Sequence, residues 1–429
     1  MSYYLENSNF GYDGRFQIFS SLPVDTSIKE QLVVSYRPIA PVRQRGVIEF
    51  IIPSTAQYYV DLSRTKLQLG VRILDDTGRP VSAIDLVALV NYPLNTLFSN
   101  VEFTIQQKDV TASIGSNYAY KAILDALLTK EQNELESSLQ ASGFYKDTAG
   151  YMNSIAPDNG NRGLLSRWEL TRLGSTASLQ GRLSIDVMKI TKFLPNGLAF
   201  KLRLFPQRDT FALMYNGDKT YHVEITDASL DMQYIAPTNE LLVGHHSALE
   251  KGPALYAFER SNIKSWVIPA GLTVWTIDSL FADECPNQLL IALTSSKGYT
   301  GDSAVNPFEF KHHNLEHLSF QIEGQSATAA VFNPDYSNKH YTKEFLSLYD
   351  PENAYKGNIN YEEYRGGYCF YKVKLDTGIQ TNHTSMSRRA QTRLSFRFKE
   401  ALSEAVVVIA YGLFSATLQI DKSRNVYIT

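Results

Sequence analysis

The chain is almost without cysteine: Cys285 and Cys369 are the two among its 429 residues. Two thiols cannot staple a fold of this length, so a disulfide framework is excluded, and both are expected as buried, reduced side chains. A long apolar run is also missing. No stretch approaches the ~20 residues that cross a bilayer. The opening MSYYLENSNFGYDGRF carries charge and glycine where a secretory leader needs unbroken apolar residues. The chain is therefore expected to be soluble and made in the cytosol, which makes the sequon Asn382-His383-Thr384 a coincidence. Charge of one sign is not in excess: 41 Lys and Arg stand against 44 Asp and Glu, a net of −3. A chain-wide nucleic-acid footprint is excluded, and only a local basic patch is left open.

Signatures of catalysis are lacking too. There is no Gly-x-Ser-x-Gly elbow, and neither cysteine has a histidine beside it in sequence. Asn216-Gly217-Asp218-Lys219-Thr220 contains a Lys-Thr pair without the glycine-rich phosphate loop that should precede it. His312, His313 and His317 form the one histidine cluster worth weighing as a metal site. On a strand His313 and His317 would share a face but stand roughly 13 Å apart, too far for one ion, so surface or loop histidines are expected. His245-His246 has no partner histidine nearby. No catalytic, cofactor-binding or metal-ligating residue is assigned, and no cofactor is expected. Arg388 and Arg389, with Arg393, Arg397 and Lys399, make the densest basic run. It reads as a solvated strand face or subunit contact, with nucleic-acid contact as the weaker alternative.

What the chain does have is aromatic residues, 26 Tyr and 22 Phe, with charged residues at only 20%. That combination suits β-strands and large interfaces low in charge. Period-two alternation recurs along the chain, as in Leu67, Leu69, Val71 and Ile73, closed by the turn Asp75-Asp76-Thr77-Gly78. Further strands are expected at Leu32–Val34, Ile48–Ile52, Leu183–Val187, Leu198–Leu204 and Val223–Tyr234. In the second half they are expected at Ile263–Ile268, Thr273–Ile277, Leu289–Leu293, Tyr368–Leu375, Leu394–Phe398, Val406–Ile409 and Thr417–Ile420. Gly143–Gly163, rich in Asn, Asp and Gly, is expected as a surface loop.

One compound pattern occurs twice. Asn91-Tyr92-Pro93 makes a turn, Val101, Phe103 and Ile105 alternate as a strand, and Tyr120, Ile123, Leu124, Leu127 and Leu128 form a helical stripe. From Asn306-Pro307-Phe308 the order repeats, through Leu318, Phe320 and Ile322 to the stripe Tyr341, Phe345, Leu348 and Tyr349. A period of more than two hundred residues points to duplication of a whole domain. The expected architecture is all-β: two consecutive eight-stranded antiparallel jelly rolls, a double jelly roll, with short helices in the loops. The expected division is an aromatic N-terminal arm over 1–30, a first jelly roll over 31–236, a linker with a short helix over 237–254 and a second jelly roll over 255–429.

From about Gln31 onward the sequence resembles the double jelly-roll major capsid proteins of double-stranded DNA viruses, most closely those of Polinton (Maverick) elements and adintoviruses. The resemblance rests on Asn91-Tyr92-Pro93 with Leu97-Phe98-Ser99-Asn100-Val101, on Asn117-Tyr118-Ala119-Tyr120-Lys121-Ala122 and on Ile268-Pro269-Ala270-Gly271. Asn306-Pro307-Phe308-Glu309-Phe310 and Gly366-Gly367-Tyr368 complete it. It implies a non-enzymatic shell protein of the virion. Three chains would form a pseudo-hexameric trimer that meets neighbouring capsomers, penton and minor capsid proteins, with weak inner-face contact to DNA as a further partner. Two jelly rolls also build bicupin metalloenzymes, but these use a His-x-His pair, absent from both halves. Jelly-roll lectins need aromatic platforms, for which Trp168, Trp266 and Trp275 are the candidates, although buried tryptophan is the more ordinary role.

Overall fold

The computed structural model describes residues 26–42, 46–111, 114–155, 160–349, 358–375 and 388–429. Most of the expected N-terminal arm and the sequon at Asn382 lie outside these residues. The first half contributes ten strands: β1 (Ile28–Tyr36), β2 (Ile48–Ile52), β3 (Tyr59–Asp75), β4 (Val87–Leu89), β5 (Phe98–Ile105), β6 (Lys108–Asp109), β7 (Ala177–Gly181), β8 (Phe200–Pro206), β9 (Leu213–Tyr215) and β10 (Tyr221–Pro237). The second half contributes β11 (Ala254–Ile268), β12 (Val274–Asp278), β13 (Leu280–Cys285), β14 (Gln288–Ser295), β15 (Leu315–Ile322), β16 (Gln325–Phe332), β17 (Phe370–Lys374), β18 (Arg388–Arg389), β19 (Thr392–Phe398), β20 (Val406–Ile420) and β21 (Val426–Ile428).

The first half forms the sheets β1-β10-β3-β7 and β2-β8-β5-β6, and the second forms β11-β20-β14-β17 and β12-β19-β15-β16. Setting aside the small pairs β4–β9 and β13–β18 and the edge strand β21, the remaining strands of each half can be numbered one to eight. Both halves then read 1-8-3-6 in one sheet and 2-7-4-5 in the other. That is a jelly roll twice over. The duplicated sequence pattern falls on matching places, because β5 and β15 are both the fourth strand of their barrel.

Alternation dictates the cores. Leu67, Leu69, Val71 and Ile73 on β3 have no exposed surface, and Val101, Phe103 and Ile105 on β5 face the same interior. Leu318 and Phe320 with Leu394, Phe396 and Phe398 do the same in the second barrel. Each such side chain contributes about 1.5–3 kcal/mol by leaving water. Val406 to Gly412 on β20 is buried on both parities, as expected for a strand covered on both faces.

Several sequence expectations need correction. Leu183–Val187 is not a strand: β7 lies upstream, and Asp186–Lys189 forms a 3₁₀ turn that aims the Asp186 side chain into the interior. Thr417–Ile420 is the end of the long β20, and it pairs with a further edge strand, β21. The second helical stripe is short, with the helix covering only Thr342–Leu346. Gly143–Gly163 is no surface loop, since Phe144, Asp147, Met152 and Asn161 are buried within it. β1 starts at Ile28, inside the expected arm, and the expected linker holds a helix of 13 residues, Asn239–Lys251.

Candidate functional site

The helix Tyr118–Thr129 belongs by sequence to the first barrel, yet Tyr118 to Leu127 is buried all round. The predicted apolar stripe accounts for one side only. A helix with no wet face is sandwiched, and here the second barrel covers the side that runs from Tyr120, against Tyr299 and Phe308, to Asp125, against Tyr411. That side carries Lys121 and Asp125, four residues apart and therefore on one face. Lys121 Nζ lies 2.7 Å from Asp125 and 2.9 Å from Asp186, with a fully buried side chain. Lys189 approaches Asp125 at 3.1 Å. From the second barrel, Tyr411 Oη donates to Asp125 Oδ1 at 2.7 Å, and Ser261 donates its backbone N–H and its hydroxyl to Asp186 at 2.8 and 2.6 Å.

Two lysines and two aspartates balance. Burial pushes both carboxyls upward, but the Lys121 and Lys189 charges offset this and hold Asp125 and Asp186 below the ordinary carboxylate range. Burial, reinforced by the Asp125 charge, pushes the Tyr411 phenol well up. These groups are held in fixed charge states, which suits a structural lock more than proton transfer.

A second network crosses the junction. Arg167, on the helix Arg162–Thr171, is fully buried and donates to the carbonyls of Leu89 and Tyr145 and to Asp147 Oδ1, at 2.8, 2.6 and 2.7 Å. The other Asp147 oxygen accepts from Asn306 Nδ2 at 2.9 Å, and the Asp147 carbonyl accepts from Tyr368 Oη at 2.7 Å. Asn306 N donates to Asn153 Oδ1 at 2.6 Å. Beside these bonds Tyr120 stacks on Tyr299, ring centroids 5.4 Å apart, and meets Phe308 edge-on at 5.5 Å. The motifs at Asn117, Asn306 and Gly366 therefore converge on one surface. Asn91 supports it from behind, its side-chain oxygen accepting from the N–H groups of Tyr92 and Tyr145. The Ile268-Pro269-Ala270-Gly271 motif lies elsewhere, in the turn after β11, where Gly271 adopts φ 84°.

The residues weighed for other chemistry stay apart. His312 and His313 sit in a turn, not on a strand, with φ 45° at His313. His312 stacks on Tyr336 at 3.9 Å, and His317 pairs with Asn333 at 2.7 Å. Burial pushes His312 and His313 down to about 4. His245 bonds to Tyr59 Oη at 3.0 Å. Among the described residues no group of three or more His, Cys, Asp or Glu is placed to hold a metal ion. Lys219 pairs with Asp85 at 2.9 Å. Arg393 meets Asp278 at 2.7 Å, Arg397 meets Glu316 at 3.2 Å, and Lys399 meets Asp335 at 3.9 Å, so that part of the basic run faces carboxylates of its own barrel. Trp168 donates to the Asp85 carbonyl beneath Arg172, and Trp266 and Trp275 pack partly buried against the core. Cys285 and Cys369 are buried and unbridged, and burial pushes Cys369 up to about 11.

One exposed feature repeats between barrels. The first-to-second-strand region shows Ile39, Val47 and Ile51 to solvent in the first barrel, and Val267 and Val274 in the second, each more than two-fifths exposed.

Two like barrels joined through a buried junction define a double jelly-roll protein, the fold of viral major capsid proteins. Similarity to solved structures runs the length of the chain. A chain in the cryo-EM structure of the Sputnik virophage matches with TM-score 0.64 and 11% identity, covering 99% of this chain and 93% of its own. The major capsid protein of mavirus matches at 0.57 and 12%, covering 100% and 95%, and that of Faustovirus at 0.55 and 9%, covering 93% and 92%. An uncharacterised protein of Caenorhabditis elegans is 25% identical over 399 residues, 89% of this chain and 92% of the relative. No family model matches the chain.

Proposed function

We propose that the chain is a structural major capsid protein without catalytic activity. Three copies form a pseudo-hexameric capsomer of an icosahedral double-stranded DNA virus, or of a virus-like element of the Polinton and adintovirus kind. The observation that carries this reading is the identical strand order of two barrels fixed to one another by hydrogen bonds from Tyr411, Ser261, Asn306 and Tyr368 to buried aspartates of the first. A shell tile needs that property: two similar wedges per chain at one set angle let a threefold assembly present six edges. The apolar residues exposed near the second strand of each barrel supply matching contact surfaces.

In this reading the chain divides into an arm over 1–27, barrels over 28–237 and 254–429, and a linker between them that holds the helix Asn239–Lys251. The arm reaches neighbouring capsomers on the inner face. Penton and other minor capsid proteins meet the rims, and contact with packaged DNA is weak because Arg393, Arg397 and Lys399 already face carboxylates. The protein is made in the host cytoplasm and resides in the virion. Light scattering of the purified chain tests the reading: a trimer that grows into particles supports it, and a chain that stays monomeric at every concentration refutes it.

A further inference from the structure

The helix Asn239–Lys251 is nearly bare. Of its 13 residues only Leu249 is buried, Val243 is 70% exposed, and Gly244 interrupts its middle. A helix of this length is marginal in water without packing on an apolar face, and Gly244 weakens it further. Beside it runs a cleft of about 500 Å³ whose walls include Phe193, Ile235, Leu241 and Leu249, with Leu255, 56% exposed, at its rim. Polar groups are few and already arranged. Tyr59 stacks on His245, and Tyr256 Oη donates to the Phe193 carbonyl at 3.0 Å. An apolar cleft with a few placed polar groups is built to hold something.

Ser27 and Ile28 belong to the same lining, and the Ser27 carbonyl accepts from Thr238 N at the start of the helix. The preceding segment is therefore tethered at the mouth of the cleft. Its stretch nearest that tether, Phe16-Gln17-Ile18-Phe19-Ser20-Ser21-Leu22-Pro23-Val24, is also its most apolar. Phe19 is nine residues from Ile28, a reach of roughly 30 Å when extended, against about 20 Å for the whole helix. A tether this short gives an effective concentration of roughly millimolar, which no free partner matches without strong contacts of its own.

We propose that Phe16–Val24 docks in this cleft on its own chain, covering Leu241 and Leu255 and completing the packing of the helix. The inference rests on the cleft and the tether and stands whether or not the protein is a capsid component. Anchoring here leaves Met1 to Gly14 as the part free to reach a neighbour.

Phe19→p-benzoylphenylalanine in the full chain, followed by irradiation, denaturing mass spectrometry and peptide mapping, tests it. The expected product keeps the mass of one chain and joins residue 19 to peptides containing Phe193, Leu255 or the helix. A product of twice that mass carrying the same link would mean that a neighbour's segment fills the cleft, and would overturn the proposal. Links elsewhere, or none, would overturn it as well. Independently, removing residues 1–25 is expected to speed amide exchange in the helix about tenfold while β3 and β10 keep their protection. Leu255→Glu in the full chain is expected to do the same, and unchanged helix exchange in this folded variant contradicts the proposal.

Discussion

Tyr411, on the last long strand of the second barrel, donates a 2.7 Å hydrogen bond to Asp125, on the helix of the first barrel 286 residues earlier. That bond fixes a carboxylate also held by Lys121 and Lys189, so a charge cluster balanced within the first barrel is capped by neutral donors from the second. Tyr411→Phe should cost about 1.5–3 kcal/mol, the usual value of a hydrogen bond to a charged group. Lys121→Met should cost about 3–5 kcal/mol, because Asp125 and Asp186 would be left buried and poorly compensated. Urea unfolding of the two variants checks the order. Equal, small losses would mean that the junction is wet.

Acid should act in two separate windows. His312 and His313 have folded values pushed down to about 4 by burial, against about 6.5 when unfolded. The unfolded chain therefore takes up their protons first, and stability present above pH 6.5 is lost as pH falls toward 4. Asp125 and Asp186 are held below the unfolded aspartate value of about 3.9. Their contribution persists at that pH and is lost only at stronger acidity. His312→Phe, which keeps the stack on Tyr336, should remove about half of the loss in the upper window, His313 supplying the rest, and leave the lower one. Denaturant midpoints measured from about pH 7 to about pH 2 would show it.

Asp147 and Asn306 should behave as a coupled pair across the junction. Alanine at either position strands a buried polar partner, and alanine at both strands fewer. A double-mutant cycle should give a coupling of about 0.5–3 kcal/mol, the range for residues in one network. Strict additivity would show that the 2.9 Å bond contributes nothing.

Gly143 joins the junction loop to the turn at Pro93. It adopts φ 76°, and a Cβ there would overlap the Pro93 ring. Gly143→Ala should destabilise the fold by about 1–3 kcal/mol through strain and overpacking. The same change at Gly78, also at positive φ but with nothing within 4 Å, should cost less. Thermal unfolding of the pair compares them directly.

The barrels were legible because alternation follows directly from burying one face of a strand, and β3 beyond Thr65, β5 beyond Asn100 and β19 keep that pattern. The duplication was legible for the same reason, since a turn, strand and helix recur on matching strands. The junction was not. Lys121, Asp125, Asp147 and Arg167 look like ordinary surface charges when each is read singly, and nothing local marks Asp147 or Arg167 as buried. Their partners lie in the other barrel or across a loop, which only the fold brings together. The signal that could have found Lys121 and Asp125 was their apolar setting inside Tyr118–Leu128, a helix too apolar on its remaining faces to be wet. Asp186 deceived for a related reason: its apolar neighbours Ile185 and Val187 mimic a strand, whereas the side chain turns inward to meet Ser261 and Lys121.

Electron cryo-microscopy of the purified chain tests the central claim most directly. The account predicts particles with threefold symmetry and six barrel-sized lobes, two from each chain. Single two-barrel molecules that never associate, or an assembly in which each chain contributes one lobe to the ring, would contradict it.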